Sequence, residues 1–377
     1  MGLIASVALG VGSISPSSGT SVPLLVERAE LDSVFVARAG DLVQLPSCAI
    51  PCVTATCLLS NITCICENET IKEDADRCIL ASCSLPEALF SRNLTETTCQ
   101  TPVRDRSAKF NIMIIAFGVV TTVIVCIRLL FKQYFSTKQR LGIDDWTILL
   151  ATTPIGIPTI ATATFGLKAH GLGKDIWGLQ PSSLVAFGLY FYIIQILYIL
   201  IMTLIKLTLS LFYLDIFPGR IIRRLLWGTV VFHIAYGVAF GVGIIFWCSP
   251  ISYQWTQYDF TNAPQAQGHC IDINTAGWAS AAIGVASDIW LLAIPLSQKI
   301  GAAVMFMTGA LVTIVSIFRL QSITHYAKTT DPTWDQWSIV WWSTIEVNVG
   351  VICTCLPSMR LVLLRLAPRI FGFSEGG

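Results

Sequence analysis

Charge is what this sequence has least of. Only 12% of its 377 residues are Asp, Glu, Lys or Arg, and the formal net charge is +1; an ordinary soluble domain carries about a quarter of its residues charged. Neither a basic field nor basic residues interleaved with stacking aromatics is present, which excludes nucleic acid as a partner. Histidine is also scarce, at four. The apolar runs contain no His-x-x-x-His, Ser/His or paired-aspartate arrangement, so intramembrane hydrolysis lacks its machinery and no enzyme is expected. The last apolar run, Trp337–Leu361, has no lysine, which excludes a retinal photoreceptor of the usual Schiff-base kind.

What is present is apolar: 54% of the residues are hydrophobic and the mean hydropathy is +0.68. The apolar runs begin after about residue 108, whereas residues 40–107 are polar and dense in cysteine, so the composition itself marks a domain boundary. Eight of the thirteen cysteines fall in that stretch: Cys48, Cys52, Cys57, Cys64, Cys66, Cys78, Cys83 and Cys99. An even, dense cluster without histidine reads as a disulfide framework in an oxidising compartment rather than as a zinc site, and the sequence does not choose its pairing. Three N-glycosylation triplets, opening at Asn61, Asn68 and Asn93, lie in the same stretch and nowhere else. The start, with the short apolar run Leu3–Val11, reads as a signal peptide over residues 1–20, although no Lys or Arg precedes it.

Spans of about 20 apolar residues number seven: Phe110–Phe131, Asp145–Gly166, Ala186–Leu214, Leu225–Trp247, Ile273–Leu296, Ala302–Leu320 and Trp337–Leu361. With the amino terminus outside, the inner loops and tail hold ten Lys or Arg and the outer loops three. The positive-inside rule therefore agrees with the glycosylation triplets. In that orientation Cys248 and Cys270 bound an outer loop without Lys or Arg, and a disulfide closing it is expected. Pro154 and Pro158 should kink or locally unwind the second span.

Ionisable side chains at membrane depth are costly and seek partners inside a bundle. Three stand out, Lys206, Asp288 and Glu346. Gln195, Tyr198, Met202, Lys206, Ser210 and Tyr213 recur at spacings of three or four, so Lys206 belongs to a stripe that faces other helices. Depth within the spans predicts a Lys206–Asp288 pair, with Glu346 hydrogen-bonded nearby or facing a cavity beside Arg319. A structural ion pair, a switch that breaks on activation, and a proton or ion relay are all compatible with that set. His233 reads as a packed, hydrogen-bonded core histidine, and Trp334, Trp337, Trp341 and Trp342 as part of an interfacial aromatic belt.

The spacing Cys48-x3-Cys52-x4-Cys57-x6-Cys64-x-Cys66-x11-Cys78-x4-Cys83-x15-Cys99, preceded by Leu45-Pro46-Ser47, resembles the CFEM domain of fungal extracellular membrane proteins. That resemblance implies a compact helical domain with four disulfides, in a filamentous fungus. Some CFEM relatives hold haem through an aspartate three residues before the central Cys-x-Cys. Here that position is Asn61, a poor iron ligand, so no cofactor is expected. The second half is similar to the fungal rhodopsin-like domain, through "GIDDWTILLA" at Gly142–Ala151, "HGLGKDIWGL" at His170–Leu179, "LIKLTLSLFYLDIFP" at Leu204–Pro218, "FWCSPISYQW" at Phe246–Trp255, "GHCID" at Gly268–Asp272, "SDIWLLAIP" at Ser287–Pro295 and "CLPSMR" at Cys355–Arg360. That family includes receptors required for infection structures in plant-pathogenic fungi.

The expected fold is all-α: a small disulfide-rich extracellular domain over residues 40–105, a seven-helix membrane domain over residues 108–365 with its amino terminus outside, and a short cytoplasmic tail over residues 366–377. The expected function is a plasma-membrane receptor that senses a host or surface cue and signals to a cytosolic protein. A haem- or iron-binding surface protein, a transporter and an adhesin remain as alternatives.

Overall fold

The structure, a computed structural model, describes residues 35–38, 41–56, 66, 68–102, 104–134, 141–256, 268–271, 273–296, 302–326 and 331–366. The signal-peptide expectation, Cys57, Cys64 and Asn61 lie outside the described residues.

A two-stranded antiparallel ribbon leads the cysteine-rich domain, β1 (Phe35–Arg38) pairing with β2 (Asp41–Gln44). Three helices follow: α1 (Ile50–Thr56), α2 (Glu69–Ser82) and α3 (Leu85–Thr98). Asn68 caps α2 by accepting from the Thr70 amide at 3.2 Å, and Glu87 Oε2 reaches back to accept from the Ser84 amide at 3.0 Å at the start of α3. A core of Leu45, Ala49, Val53, Ile79, Ala88 and Leu94 is too small to hold such a domain alone. Disulfides Cys48–Cys83, Cys52–Cys78 and Cys66–Cys99 close it, and Lys72 pairs with Glu96 across α2 and α3 at 2.8 Å.

The membrane half is a helical bundle. Its first helix is α4 (Ser107–Tyr134). The second runs from Ile143 to Leu167 and is composite: α5 (Ile143–Leu150), a π-helical stretch Ala151–Gly156, α6 (Ile157–Ala161) and a second π-helical stretch Thr162–Leu167. Pro154 sits inside the first wide turn, so the missing proline donor is absorbed by a local widening of the helix rather than by a sharp kink. The others are α7 (Pro181–Ile216), α8 (Arg220–Ile245), α10 (Ile273–Leu296), α11 (Ala302–Tyr326) and α12 (Pro332–Leu366). Between α8 and α10 lie the short β3 (Cys248–Ser249), α9 (Tyr253–Thr256) and β4 (His269–Cys270). Six of the membrane helices are long and apolar enough among the described residues to cross a bilayer, and α11 adds a shorter apolar stretch, Gly309–Ser322. Central α7 packs against the second helix, α8 and α12, while α4 packs along α12. Lipid-facing side chains such as Ile112, Ile115, Val119 and Trp227 stay exposed, as a bundle without a water-facing surface requires.

Strands β3 and β4 pair with Cys248 opposite Cys270, and a disulfide joins the two. Trp247 Nε1 donates to the Ile271 carbonyl at 2.8 Å, tying the end of α8 to the same ribbon.

Candidate functional site: buried charge networks beneath a docked domain

In the bundle centre, Lys206 on α7 donates to Asp288 Oδ1 on α10 at 2.9 Å, to the Gly284 carbonyl at 2.8 Å and to Ser287 Oγ. Three acceptors for three ammonium protons leave nothing unpaired. Ser316 on α11 lies between two carboxylates, 3.0 Å from Asp288 Oδ2 and 2.7 Å from Glu346 Oε1. Its hydroxyl carries one proton and can donate to only one of them at a time. Glu346 on α12 also accepts from Tyr198 Oη at 2.7 Å and lies 3.3 Å from Arg319 Nε, while Arg319 Nη1 donates to Tyr198. The structure thus joins the three ionisable residues singled out in the sequence through Ser316, and links them to Tyr198 and Arg319. Lys206, Asp288, Glu346 and Arg319 together sum to zero charge, which is what a low-dielectric interior demands.

A second network escaped the sequence reading, which counted only three ionisable groups at depth. Arg128 of α4 is 0% exposed. Its Nη2 donates to Asp144 Oδ2 at 2.5 Å, its Nε to Asp145 Oδ1 at 3.0 Å and its Nη1 to the Thr354 carbonyl of α12. Lys132, one residue past the Phe110–Phe131 run and so counted with the inner-loop charges, sits in the last turn of α4 and donates to Asp144 and Asp145 at 2.7 and 2.8 Å. The signal was available: Arg128 lies within an apolar run, and Lys132 is one turn away, on the side that meets the Asp144-Asp145 pair. Both aspartates occupy the first turn of α5, where the helix dipole favours negative charge.

At the other end, the cysteine-rich domain is seated on the bundle through alternating guanidinium and indole groups. Arg92 of α3 stacks over Trp177 at 4.4 Å, with Arg104 on the same ring at 5.6 Å. Arg104 covers Trp334 at 4.3 Å, Arg106 covers Trp334 at 3.8 Å and Trp337 at 5.1 Å, and Trp337 stacks on Trp341 at 4.7 Å. Each such contact contributes about 0.5–1 kcal/mol, more where desolvated. Trp334, Trp337 and Trp341 therefore form a docking ladder, and Trp342 stacks on Phe318 at 5.0 Å.

The backbone under this ladder explains the glycines of the 170–179 stretch. Gly171 and Gly173 adopt φ of +115° and +79°. The Arg106 amide donates to the Gly173 carbonyl and the Gly173 amide to the Thr333 carbonyl, both at 3.1 Å. A Cβ at Gly173 would lie 2.7 Å from Trp337 Cδ1. Gly173→Ala is therefore expected to cost about 2 kcal/mol or more, from left-handed backbone strain and displaced indole together. An unchanged melting temperature of the purified full chain would count against this account.

Two buried carboxylates share Arg104. It donates to Asp175 Oδ1 and lies 4.0 Å from Asp331 Oδ2. Asp331 accepts from the Thr333 hydroxyl at 3.1 Å, the Trp334 amide at 3.2 Å and the Ile176 amide at 3.3 Å. Burial is the largest influence on Asp331 and pushes its pKa up to about 6; the Trp334 amide opposes this and the Asp175 charge adds to it. A raised folded-state pKa means that the contribution is fully present below about pH 4 and is lost as pH rises through about 6. The stability difference between the native chain and Asp331→Asn should accordingly change by about 3 kcal/mol between those limits. Paired melts across pH measure it, and a pH-independent difference would exclude Asp331 as the titrating group.

Of the other expected sites, Asn68 is exposed and Asn93 is half-buried within α3. His233 is 1% exposed and stacks edge-on against Phe232, but its Nε2 makes no hydrogen bond, contrary to the hydrogen-bonded core histidine expected. Among the described residues no cluster of His, Cys, Asp and Glu could hold a metal ion.

Comparison with known proteins agrees with this architecture. The CFEM domain matches over residues 41–100 and the fungal rhodopsin domain over residues 127–365. A SAT4 family membrane protein of Emericella nidulans is 29% identical over 216 residues, 53% of this chain and 52% of that protein. The chain thus spans about half the length of that relative. The Polyenoic acids biosynthesis gene cluster protein Ba17b of Metarhizium anisopliae is 23% identical, covering 71% of this chain and 77% of its own. Receptor GIN3 of Arthrobotrys oligospora is 24% identical, covering 69% and 65%. No solved structure matches. Of these relatives one is named a membrane protein, one a receptor and one for a biosynthesis gene cluster. A cysteine-rich domain closed by disulfides, set ahead of a helical membrane bundle with both family patterns in register, makes this chain a multi-pass membrane protein of the fungal rhodopsin domain family that carries a CFEM domain.

Proposed function

We propose that the chain is a plasma-membrane receptor of a filamentous fungus, whose CFEM domain lies outside the cell, meets a host or surface cue and passes its state to the helices. The arginine–tryptophan ladder carries this reading. It runs from α3 of the CFEM domain to Trp337 at the top of α12, and nine residues further along the same helix stands Glu346 of the central charge network. At 1.5 Å per residue that is about 14 Å of rigid helix. A shift of the docked domain therefore reaches Glu346 and, through Ser316, the Lys206–Asp288 pair. Two arrangements with different affinity for the cue are all that signalling requires, and the one-proton choice at Ser316 offers two. The cytosolic end would then meet a signalling protein. The loop-charge asymmetry and the glycosylation triplets support the orientation, and the name of the Arthrobotrys relative supports the receptor class. No haem is part of the reading, since the position equivalent to the iron-binding aspartate is an amide, Asn61.

The test is complementation of a deletion strain with the full chain or with the double variant Trp177→Leu/Trp334→Leu, each tagged to verify surface delivery. The native chain should restore development on a host-like surface, and the double variant should reach the surface without restoring it. A deletion strain that develops normally would remove the receptor reading; a fully active double variant would remove the ladder as its route.

A further inference from the structure

Chiefly between the first, second, third and seventh membrane helices, with Ile244 of α8, Ser280 of α10 and Arg319 of α11 completing the wall, lies a cavity of about 370 Å³ outside the docking ladder and touching the charge networks only at Tyr198 and Arg319. That volume falls within the range of small-molecule sites, about 300–1,000 Å³. It equals about twelve water volumes, room for a chain of about twelve methylene-sized groups. The lining is predominantly apolar, supplied by residues such as Ile114, Val125, Phe191, Ile201, Val347 and Val351. Its mouth is lateral. Thr122 and Cys126 of α4 and Thr153, Ile157 and Ile160 of the second helix line the cavity and are exposed on the bundle's side, where lipid would stand. Gly118 lies at the same mouth, and a Cβ built there meets nothing within 4 Å. The widened turns of the second helix supply Thr152, Thr153, Gly156 and Ala163 to the wall, so the π-helical segments shape the space.

Polar groups in the wall are few. Asn348 is spent, accepting from Thr121 at 2.8 Å and donating to the Thr344 carbonyl at 2.8 Å. Tyr198 is spent, donating to Glu346 and accepting from Arg319, whose charge is balanced by Glu346 at 3.3 Å. Gln195 and Ser343 line the cavity, and neither side chain has a hydrogen-bond partner among the described residues. An amide and a hydroxyl facing an apolar space gain most from a partner that brings its own donor and acceptor. The nearby charges already sum to zero, so a carboxylate or ammonium head would enter uncompensated.

We infer that this cavity is a binding site for a neutral lipophilic molecule with a chain about the length of the space and one hydroxyl or carbonyl head, which enters from the bilayer between α4 and the second helix and hydrogen-bonds Gln195. The site stands on its own geometry and does not depend on the receptor reading.

The full chain in nanodiscs is photolabelled with diazirine-bearing dodecanol, dodecanoic acid and dodecane, and labelled peptides are mapped. The alcohol should label the wall saturably, be displaced by plain dodecanol and not by dodecane, and exceed both other probes. Gly118→Trp, which fills the mouth, should abolish that labelling. Gln195→Leu should lower it about fivefold, the worth of one hydrogen bond of about 1 kcal/mol, to the level of the hydrocarbon. Unsaturable labelling that is alike for all three probes would reduce the cavity to a gap filled by bulk lipid and overturn the proposal; a preference for the acid would overturn the neutral head. The competition on the unmodified chain decides even where a variant fails to fold.

Discussion

Replacing Arg128 with leucine is expected to prevent the chain from accumulating in folded form. Its guanidinium reaches Asp144, Asp145 and the Thr354 carbonyl with three separate nitrogens, joining α4 to α5 and α12, while being 0% exposed. Leucine would leave two carboxylates, themselves 4% and 0% exposed, with Lys132 as their one remaining cation among the described residues. Removing one partner of a buried charge set costs about 3–5 kcal/mol, because the remaining charge stays desolvated. That is a large share of the total stability of a typical domain, about 5–15 kcal/mol. Arg128→Lys should fare only partly better, since an ammonium is a point charge on a flexible stem and cannot match a planar fork with three acceptors at fixed angles. Monodisperse yield in detergent and the melting temperature should rank native, lysine and leucine in that order. A leucine variant that is folded and melts like the native chain would show that the network contributes little.

Much of this was legible in the sequence because the signals were long or dense. Spans of apolar residues locate the seven helices of the bundle, six of them long and apolar enough to cross a bilayer among the described residues, and the structure mainly extends their ends: α7 begins at Pro181 rather than Ala186 and α12 at Pro332 rather than Trp337. The ends were not legible because polar residues such as Ser182 and Asp335 continue a helix beyond the apolar stretch once their backbone donors are satisfied. Lys206 and Asp288 stand out as lone charges in apolar runs, and similar depth brings them together. Ser316 gave no such signal, since a serine in a helix is ordinary and its place between Asp288 and Glu346 depends on how α10, α11 and α12 pack. Lys132 and the Asp144-Asp145 pair were passed over because they sit at helix ends, where charge is expected to meet water, and Arg128, within its apolar run, becomes telling only beside them. The docking of Arg92 on Trp177 joins residues 85 positions apart in two domains, and no local pattern announces it. Disulfide pairing was illegible for the same reason, as spacing along the chain says little about which thiols meet.

Substituting Lys206 by methionine should destabilise the bundle by about 3–5 kcal/mol, and substituting Asp288 by leucine as well should recover most of that loss. The single variant leaves Asp288 at 7% exposure, with Ser316 as its remaining hydrogen-bond partner among the described residues and Glu346 nearby as a like charge. The double variant, Lys206→Met/Asp288→Leu, removes both desolvated charges and lets Ser316 donate to Glu346 without competition. Buried pairs exchanged for apolar groups of similar volume are often neutral or more stable, and breaking one partner alone is not. Melts of the native chain, both single variants and the double variant form a thermodynamic cycle, and losses that simply add would show that the two side chains do not act as a pair. The same four proteins separate structure from switching. A network kept only for helix register leaves the recovered double variant fully active in the complementation assay. A network that sets the balance between two states leaves it stable and delivered to the surface, but fixed in one of them, with its response to the cue lost or permanently on. Stability recovered without function is the outcome that the shared proton at Ser316 predicts, because the double variant removes the competition on which the choice between states depends.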